Sequence, residues 1–342
     1  MIRLKDIALQ AGVSVMTVSK VLRDAPDISA ATKVRIHQIA RQLGYVPDTN
    51  AQSLRTRTTK LIGVVVSATT NPVYSRILLA IEERAHELGY EILLAQSLDR
   101  EDREEACLRR LLARRVDGLL VSPVYRLRPD APVYQVLQAR GVPVVILGHC
   151  APFCRQFVSV ESDDILGGYT MTRHLLQLGH KEIAFFAGPQ SAPWSQERFE
   201  GYKRALREAE VPLRDELIFQ GGMSIEDGAK AALQFVNEGV RATAIQAAND
   251  LIAIGCADTF LNQGLKIPGQ LSVAGYGNIL TSEYFRVPLT TIRQPKYRLG
   301  IAALDSLLKL MHGHRPETKR LGGELLVRQS TGQAPGATAE AH

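Results

Sequence analysis

Apolar positions near the start of the chain recur at helical spacing in three short blocks. In residues 4–23, LKDIALQAGVSVMTVSKVLR, Ile7, Ala8 and Ala11 give a first helix its apolar face. Val18, Val21 and Leu22 turn inward together on a second. Gly12-Val13-Ser14 separates them, and Ser14 is placed to N-cap the second helix by accepting from an otherwise unpaired backbone N–H. Small Ala8 and the Gly12 turn let the helices cross closely, which suits a helix-turn-helix and also an ordinary helical hairpin. A third helix is predicted over about 30–44, with Val34, Ile36, Ile39, Ala40 and Leu43 included in its inward face and Gly44 as its stop. Three such helices bury little and are marginal alone. Pro47 then breaks the pattern, and residues 50–55 have length for one or two helical turns, too few to hold without a partner. Residues 56–60 read as a polar, basic linker.

From Leu61 the texture changes to continuous apolar runs alternating with amphipathic blocks. LIGVVVSA (61–68), YEILLAQS (90–97), DGLLVSP (117–123) and VPVVILG (142–148) are separated by helical patterns, the first around 74–88. A second series begins near Ser162 with a helix to Leu178, then IAFFAG (183–188), LIFQG (217–221), AIQAAN (244–249) and LSVAGY (271–276), with helices at 195–210, 225–239 and 250–264. Unbroken β-branched runs between helices indicate parallel strands covered on both faces. The expected fold is a small all-α helix-turn-helix headpiece on an α/β core of two doubly wound parallel-sheet lobes, with a ligand cleft at the carboxyl ends of the strands.

Charge sharpens the division. The net charge is +6, and residues 1–60 hold ten Lys/Arg against four acids, so the entire excess sits there. A basic headpiece on a neutral body suits a polyanion such as DNA. No apolar run reaches the length needed to span a bilayer, and residues 1–10 lack the apolar core of a secretory signal. A cytosolic location without membrane attachment is therefore expected. The four cysteines suggest no disulfide framework, and Cys107 and Cys256 fall in helical patterns as small core or near-surface residues. His149, Cys150 and Cys154 share one loop, but a fourth zinc ligand is not evident, and no metal or cofactor is expected. His312 and His314 sit near a predicted helix C-terminus, where solvation and the helix dipole suffice.

The assembled pattern resembles the lactose-repressor (LacI) family of bacterial transcription regulators. The matching stretches are DIALQAGVSVMTVSKVL (6–22), LGYVPDTNAQSL (43–54), LIGVVV (61–66), RRVDGLLVSP (114–123), LGHKEIAFFAGP (178–189), RFEGYKRAL (198–206), AANDLIAIG (247–255) and PLTTIRQPKYRLG (288–300). The resemblance covers nearly the whole chain. It implies a homodimeric repressor with a core similar to periplasmic sugar-binding proteins, bound to a pseudo-palindromic operator and controlled by a small-molecule effector. It implies a headpiece over 1–46, a hinge helix and linker over 47–60, and a first lobe over 61–161 with about 291–320. A second lobe over 162–290 with about 321–331 and a disordered tail over 332–342 complete the expected organisation.

By the same similarity, Val15, Met16 and Lys20 face base edges, with Lys20 able to donate to guanine and the other two limited to apolar contact. The alternative for Val15 and Met16 is core packing. Leu54 matches the leucine that wedges into the minor groove, against packing on the core lobe. Ser14, Thr17, Ser19, Asn50 and Arg55 are the expected phosphate contacts. Residues expected at the effector cleft are Asn71, Tyr74, Ser122, Arg198, Met223, Asn249 and Gln294, with Gly148 and Gly277 at strand ends. Arg198 would fork onto hydroxyls, carboxylate or phosphate unless it is an ordinary surface arginine. Gly148 and Gly277 stand where many sugar-binding members carry an acid, which weakens a simple hexose or pentose as effector and leaves an anionic ligand, a larger glycoside or no small ligand open.

Two other classes are weighed. A ligand-binding receptor of the sugar-receptor type without a specific DNA target leaves the basic headpiece unexplained. An enzyme is not expected, since there is no P-loop, no G-x-S-x-G elbow and no dinucleotide G-x-G-x-x-G after a strand.

Overall fold

The computed structural model describes residues 2–46 and 58–336. Contacts divide the chain into two units between Thr59 and Lys60. In the first, α1 (Leu4–Ala11), α2 (Val15–Val21) and α3 (Ala30–Gln42) close over a core of Ile7, Ala8, Ala11, Val18, Val21, Ile36 and Ala40. Gly12 takes φ +63°, a left-handed conformation that releases α1 into the turn. The Ser14 hydroxyl accepts from Thr17 N at 3.0 Å, and Ser29 caps α3 by accepting from Thr32 N at 3.3 Å. Val34 departs from expectation. It is 67% exposed, because Ile36, Ile39, Ala40 and Leu43 hold the inward stripe and Val34 lies off it.

In the second unit, β1 (Leu61–Val66), β2 (Glu91–Gln96), β3 (Gly118–Val121), β4 (Val144–Leu147) and β5 (Val158–Ser162) form a sheet with the later β11 (Lys319–Leu321). Its order is β11-β5-β4-β3-β1-β2, parallel throughout. Between these strands run α4 (Pro72–Glu87), α5 (Glu101–Ala113) and α6 (Pro132–Ala139). The second sheet is β12-β10-β9-β8-β6-β7, built from β6 (Ile183–Ala187), β7 (Ile218–Gln220), β8 (Ala244–Ala247), β9 (Ser272–Gly277), β10 (Thr290–Arg293) and β12 (Glu324–Leu326). Only β12 runs antiparallel. Its helices are α7 (Asp164–Gln177), α8 (Pro193–Glu208), α9 (Ile225–Asn237), α10 (Asp250–Asn262) and the short α11 (Leu280–Tyr284). Then α12 (Lys296–Met311) returns to pack on α4 and the first sheet. Among the described residues, no helix is long and apolar enough to cross a membrane.

The lobes exchange chain at three places, after β5, after β10 and between β11 and β12. Two crossings fall later than expected. Residues 290–293 complete the second sheet, so the chain leaves at Gln294 rather than near 291, and Leu321 still belongs to the first sheet. The crossings are laced together: Asp163 N donates to Leu321 O at 2.9 Å, and Gln294 Nε2 donates to Ser162 Oγ at 3.0 Å. The tail begins later as well. His180 Nε2 lies 3.0 Å from Gly332 O, and Ala334 is buried with its N–H on Leu178 O. Residues 337–342 of the expected disordered tail lie outside the described residues.

The pairing of α7 with α8 positions the cleft chemistry. A methyl on Gly168 would lie 2.3 Å from Arg198 O, and one on Gly201 would lie 2.2 Å from Ile165 O. Only glycine permits this backbone approach, and it sets Asp164 on α7 against Arg198 on α8.

Candidate functional site

Two surfaces carry candidate chemistry. On the headpiece, α2 exposes Met16 (70%) and Val15 (46%), so neither is a core residue there. Lys20 projects from the same helix and is ion-paired with Asp27 in the loop before α3. Ser14 and Thr17 are occupied with each other, their hydroxyls 2.9 Å apart, while Arg23 Nε donates to Ser19 O. Asn50, Leu54 and Arg55 lie outside the described residues.

In the core, the cleft at the carboxyl ends of both sheets encloses about 360 Å³, a volume suited to a small metabolite. All seven expected cleft residues, Asn71, Tyr74, Ser122, Arg198, Met223, Asn249 and Gln294, line it. Gly148 does too, whereas Gly277 is not among the lining residues. Their side chains also organise the walls. Asn71 caps α4 by accepting from Val73 N at 3.1 Å, and Asn249 caps α10 by accepting from Ile252 N at 2.8 Å. Tyr74 Oη lies 2.7 Å from Ser122 Oγ. Aromatic surface from Tyr74, Tyr125, Trp194 and Tyr276 supplies flat apolar faces between these polar groups.

Arg198 differs most from its expected role. It is neither a surface arginine nor an open fork. Buried, it lies over Tyr276 with 3.6 Å from guanidinium carbon to ring centroid and over Trp194 at 4.7 Å. Its Nε donates to Asp164 Oδ1 at 2.9 Å and its Nη1 to Ala248 O at 2.6 Å. Asp164 is also buried and takes a second cation, with Oδ2 2.7 Å from His149 Nε2. The other ring nitrogen of His149, Nδ1, lies 3.0 Å from Glu161 Oε2 and 3.7 Å from Glu197 Oε1. Arg320 closes the chain of charges at 2.9 Å from Glu161 and 2.7 Å from Glu197.

These contacts favour the charged forms of His149 and Asp164. Burial pulls the His149 pKa down, but hydrogen bonds and charge from Asp164 and Glu161 outweigh it and raise the value from 6.5 to about 9. Burial likewise pushes the Asp164 carboxyl up, and Arg198 and His149 more than reverse that, leaving it below its ordinary value. In its charged form His149 has a carboxylate partner at each ring nitrogen, Asp164 at Nε2 and Glu161 at Nδ1. Nearby, burial lowers Lys296 from 10.5 to about 8, and its Nζ donates to Gly277 O and Asn278 O. Burial raises Asp99 on the cleft wall.

Residues His149, Glu161, Asp164, Glu197 and Arg320 join the candidate site beyond those expected. His149 was visible as an unusual loop residue, but its carboxylate partners come from other elements. The acids Glu161, Asp163 and Asp164, grouped where β5 gives way to α7, were the available signal.

A basic helix-turn-helix unit and a two-lobed α/β core with a cleft at the ends of its two sheets define a ligand-responsive DNA-binding regulator. The profile of bacterial regulatory proteins, lacI family, matches residues 3–48, and that of periplasmic binding proteins and sugar binding domain of the LacI family matches residues 59–323. The chain belongs to the LacI family, whose members are DNA-binding transcriptional regulators with an effector-binding core. It is 33% identical over 339 residues to the HTH-type transcriptional repressor PurR of Actinobacillus pleuropneumoniae serotype 3 (strain JL03), covering 96% of this chain and 98% of that protein. To PurR of Yersinia pestis (strain Pestoides F) it is 33% identical over 337 residues, covering 98% of each. Among solved structures it is similar to the Lac repressor dimer bound to operator and the anti-inducer ONPF, with TM-score 0.86, 30% identity and coverage of 97% and 99%. The CelR–cellobiose complex gives TM-score 0.74 and 29% identity, covering 96% of this chain and 100% of that one.

Proposed function

We propose that this chain is a homodimeric repressor that binds a pseudo-palindromic operator through Val15, Met16 and Lys20, with Ser14, Thr17, Ser19, Asn50, Leu54 and Arg55 supporting the contact. Its effector is an uncharged, hydroxyl-rich, carbohydrate-derived molecule held in the cleft. The carrying observation is the charge balance of that cleft. Arg198 and His149 are already matched by Asp164 and Glu161, and Asp99 adds a further acid to the wall. An anionic effector would have to displace a buried carboxylate to gain a cation, at a cost of several kcal/mol. A neutral polyol needs only hydrogen-bonding groups and aromatic faces, which Tyr74, Ser122, Trp194 and Gln294 offer.

The DNA arm is tested by selecting duplexes from a random pool with the full chain and measuring affinity against salt. Enrichment of a palindrome with a salt-dependent affinity well above that for scrambled duplex supports the reading. Generic polyanion binding alone ends it. The effector arm is tested by thermal shift with neutral sugars and glycosides beside sugar phosphates and carboxylates. Stabilisation confined to the charged compounds overturns the assignment of an uncharged effector.

A further inference from the structure

The loop after β4 holds a pair of thiols that the cleft chemistry leaves unused. Cys150 is half-buried and Cys154 fully buried, four residues apart across a single helical turn at Pro152–Cys154. Both thiols belong to the short segment between β4 and β5. Cys150 Sγ lies 3.4 Å from Phe157 O, and Cys154 Sγ accepts from Ala151 N at 3.2 Å. Cys150 lines a second open cavity of about 320 Å³ on the Glu161–Glu197 side of His149. Cys154 does not line it.

The groups facing this cavity are cationic His149, Arg155 and Arg320 and anionic Glu161 and Glu197. The hydrogen bond from Cys154 and the charge on His149 both hold the Cys150 thiol below its ordinary pKa, although burial and Glu161 oppose them. The hydrogen bond with Cys150 and burial push Cys154 the other way. The arrangement is asymmetric in access: the Cys150 sulfur is half-buried and opens on the cavity, whereas the Cys154 sulfur is buried and shielded from it.

We propose that Cys150 and Cys154 form a redox pair that a hydroperoxide converts to a disulfide, with Cys150 as the attacking sulfur. In the first step the Cys150 thiolate attacks a peroxide oxygen. The S–O bond forms, the O–O bond breaks, and the departing alkoxide or hydroxide takes a proton to leave as alcohol or water. Sulfur is oxidised by two electrons and the peroxide is reduced. In the second step the Cys154 sulfur attacks the sulfenic sulfur of Cys150, the S–S bond forms, and hydroxide leaves with the Cys154 proton as water. A dithiol reductant restores the pair. The other two cysteines, Cys107 on α5 and Cys256 on α10, are buried and line neither cavity, so they are shielded from this reaction.

The test uses the full chain, hydrogen peroxide as oxidant, alkylation under denaturing conditions and tryptic mapping. The peptide spanning residues 141–155 carries both sulfurs. It should lose two hydrogens and both alkylation sites at least tenfold faster than Cys107 or Cys256 is modified, and dithiothreitol should reverse the change. In C154S, dimedone should capture a sulfenate at Cys150, whereas C150S should leave Cys154 unlabelled. If C154S fails to fold, the wild-type peptide decides alone. Oxidation of Cys107 or Cys256 at the rate of Cys150, or peroxide product confined to bridges between molecules, overturns the proposal.

Discussion

The Arg198 guanidinium and the Asp164 carboxylate meet at 2.9 Å inside the cleft, each almost wholly removed from solvent. The contact joins the second turn of α8 to the first residue of α7, and the carboxylate left over from Arg198 reaches across to His149 in the first lobe. One acid thus satisfies a cation from each lobe.

Replacing Asp164 by asparagine keeps the shape and removes the charge that both cations face. Loss of one member of a buried ion pair costs about 3–5 kcal/mol, read as a fall in the denaturant midpoint of the core. D164N should also acquire affinity for inorganic phosphate in the cleft, measurable by calorimetry. A variant as stable as the parent would show that Asp164 does not balance the pair.

His149 makes core stability pH-dependent with a defined sign. Its folded pKa, about 9, lies above the unfolded 6.5. Its contribution is therefore full below pH 6.5 and disappears as pH rises through about 9, amounting to roughly 3 kcal/mol at about 1.4 kcal/mol per unit. Lys296 works oppositely. Its folded pKa of about 8 lies below 10.5, so its burial penalty is relieved as pH rises across that window. Comparison of wild type with H149Q cancels the Lys296 slope. The difference between them should shrink from pH 6.5 to 9, and a constant difference would remove the assignment.

Gly201 is predicted to tolerate no side chain. An added methyl would meet Ile165 O at 2.2 Å and Tyr169 N at 2.5 Å, both backbone atoms of α7. G201A should destabilise by about 3 kcal/mol, the upper part of the overpacking range, and blunt any effector response because Arg198 lies one helical turn earlier. Gly269, where the nearest atom would be 3.7 Å away, is the control, and G269A should melt with the parent.

Lys20 is held by Asp27 in the unbound headpiece, so DNA must compete with a carboxylate for it. K20A should cost about 1–3 kcal/mol on the selected operator and relax preference at one base pair. D27N should tighten binding to all duplexes at low salt by removing that competitor. Equal loss on every sequence in K20A would make Lys20 a phosphate contact only.

Periodicity made both lobes and the headpiece legible, because each depends on local spacing, while the seven cleft-lining residues were placed from strand ends and, for Arg198, from the family resemblance. Val34 was misplaced since its α3 pattern admits two overlapping apolar faces, and only packing against α1 and α2 selects one. The electrostatics of the cleft were not legible. His149, Asp164, Arg198 and Arg320 are distant in sequence, and their partnership depends on the glycine-paired α7 and α8 and on β11 returning to the first sheet. Arg198 was recognised as important, but its Asp164 partner changes the ligand it can accept.

The three chain crossings between the lobes act as one braided hinge. Because Leu321 O is held by Asp163 N and Ser162 Oγ by Gln294 Nε2, a turn in any one strand drags the others. A protease that nicks one crossing leaves two covalent tethers in place, so the cut core should stay together until it is unfolded.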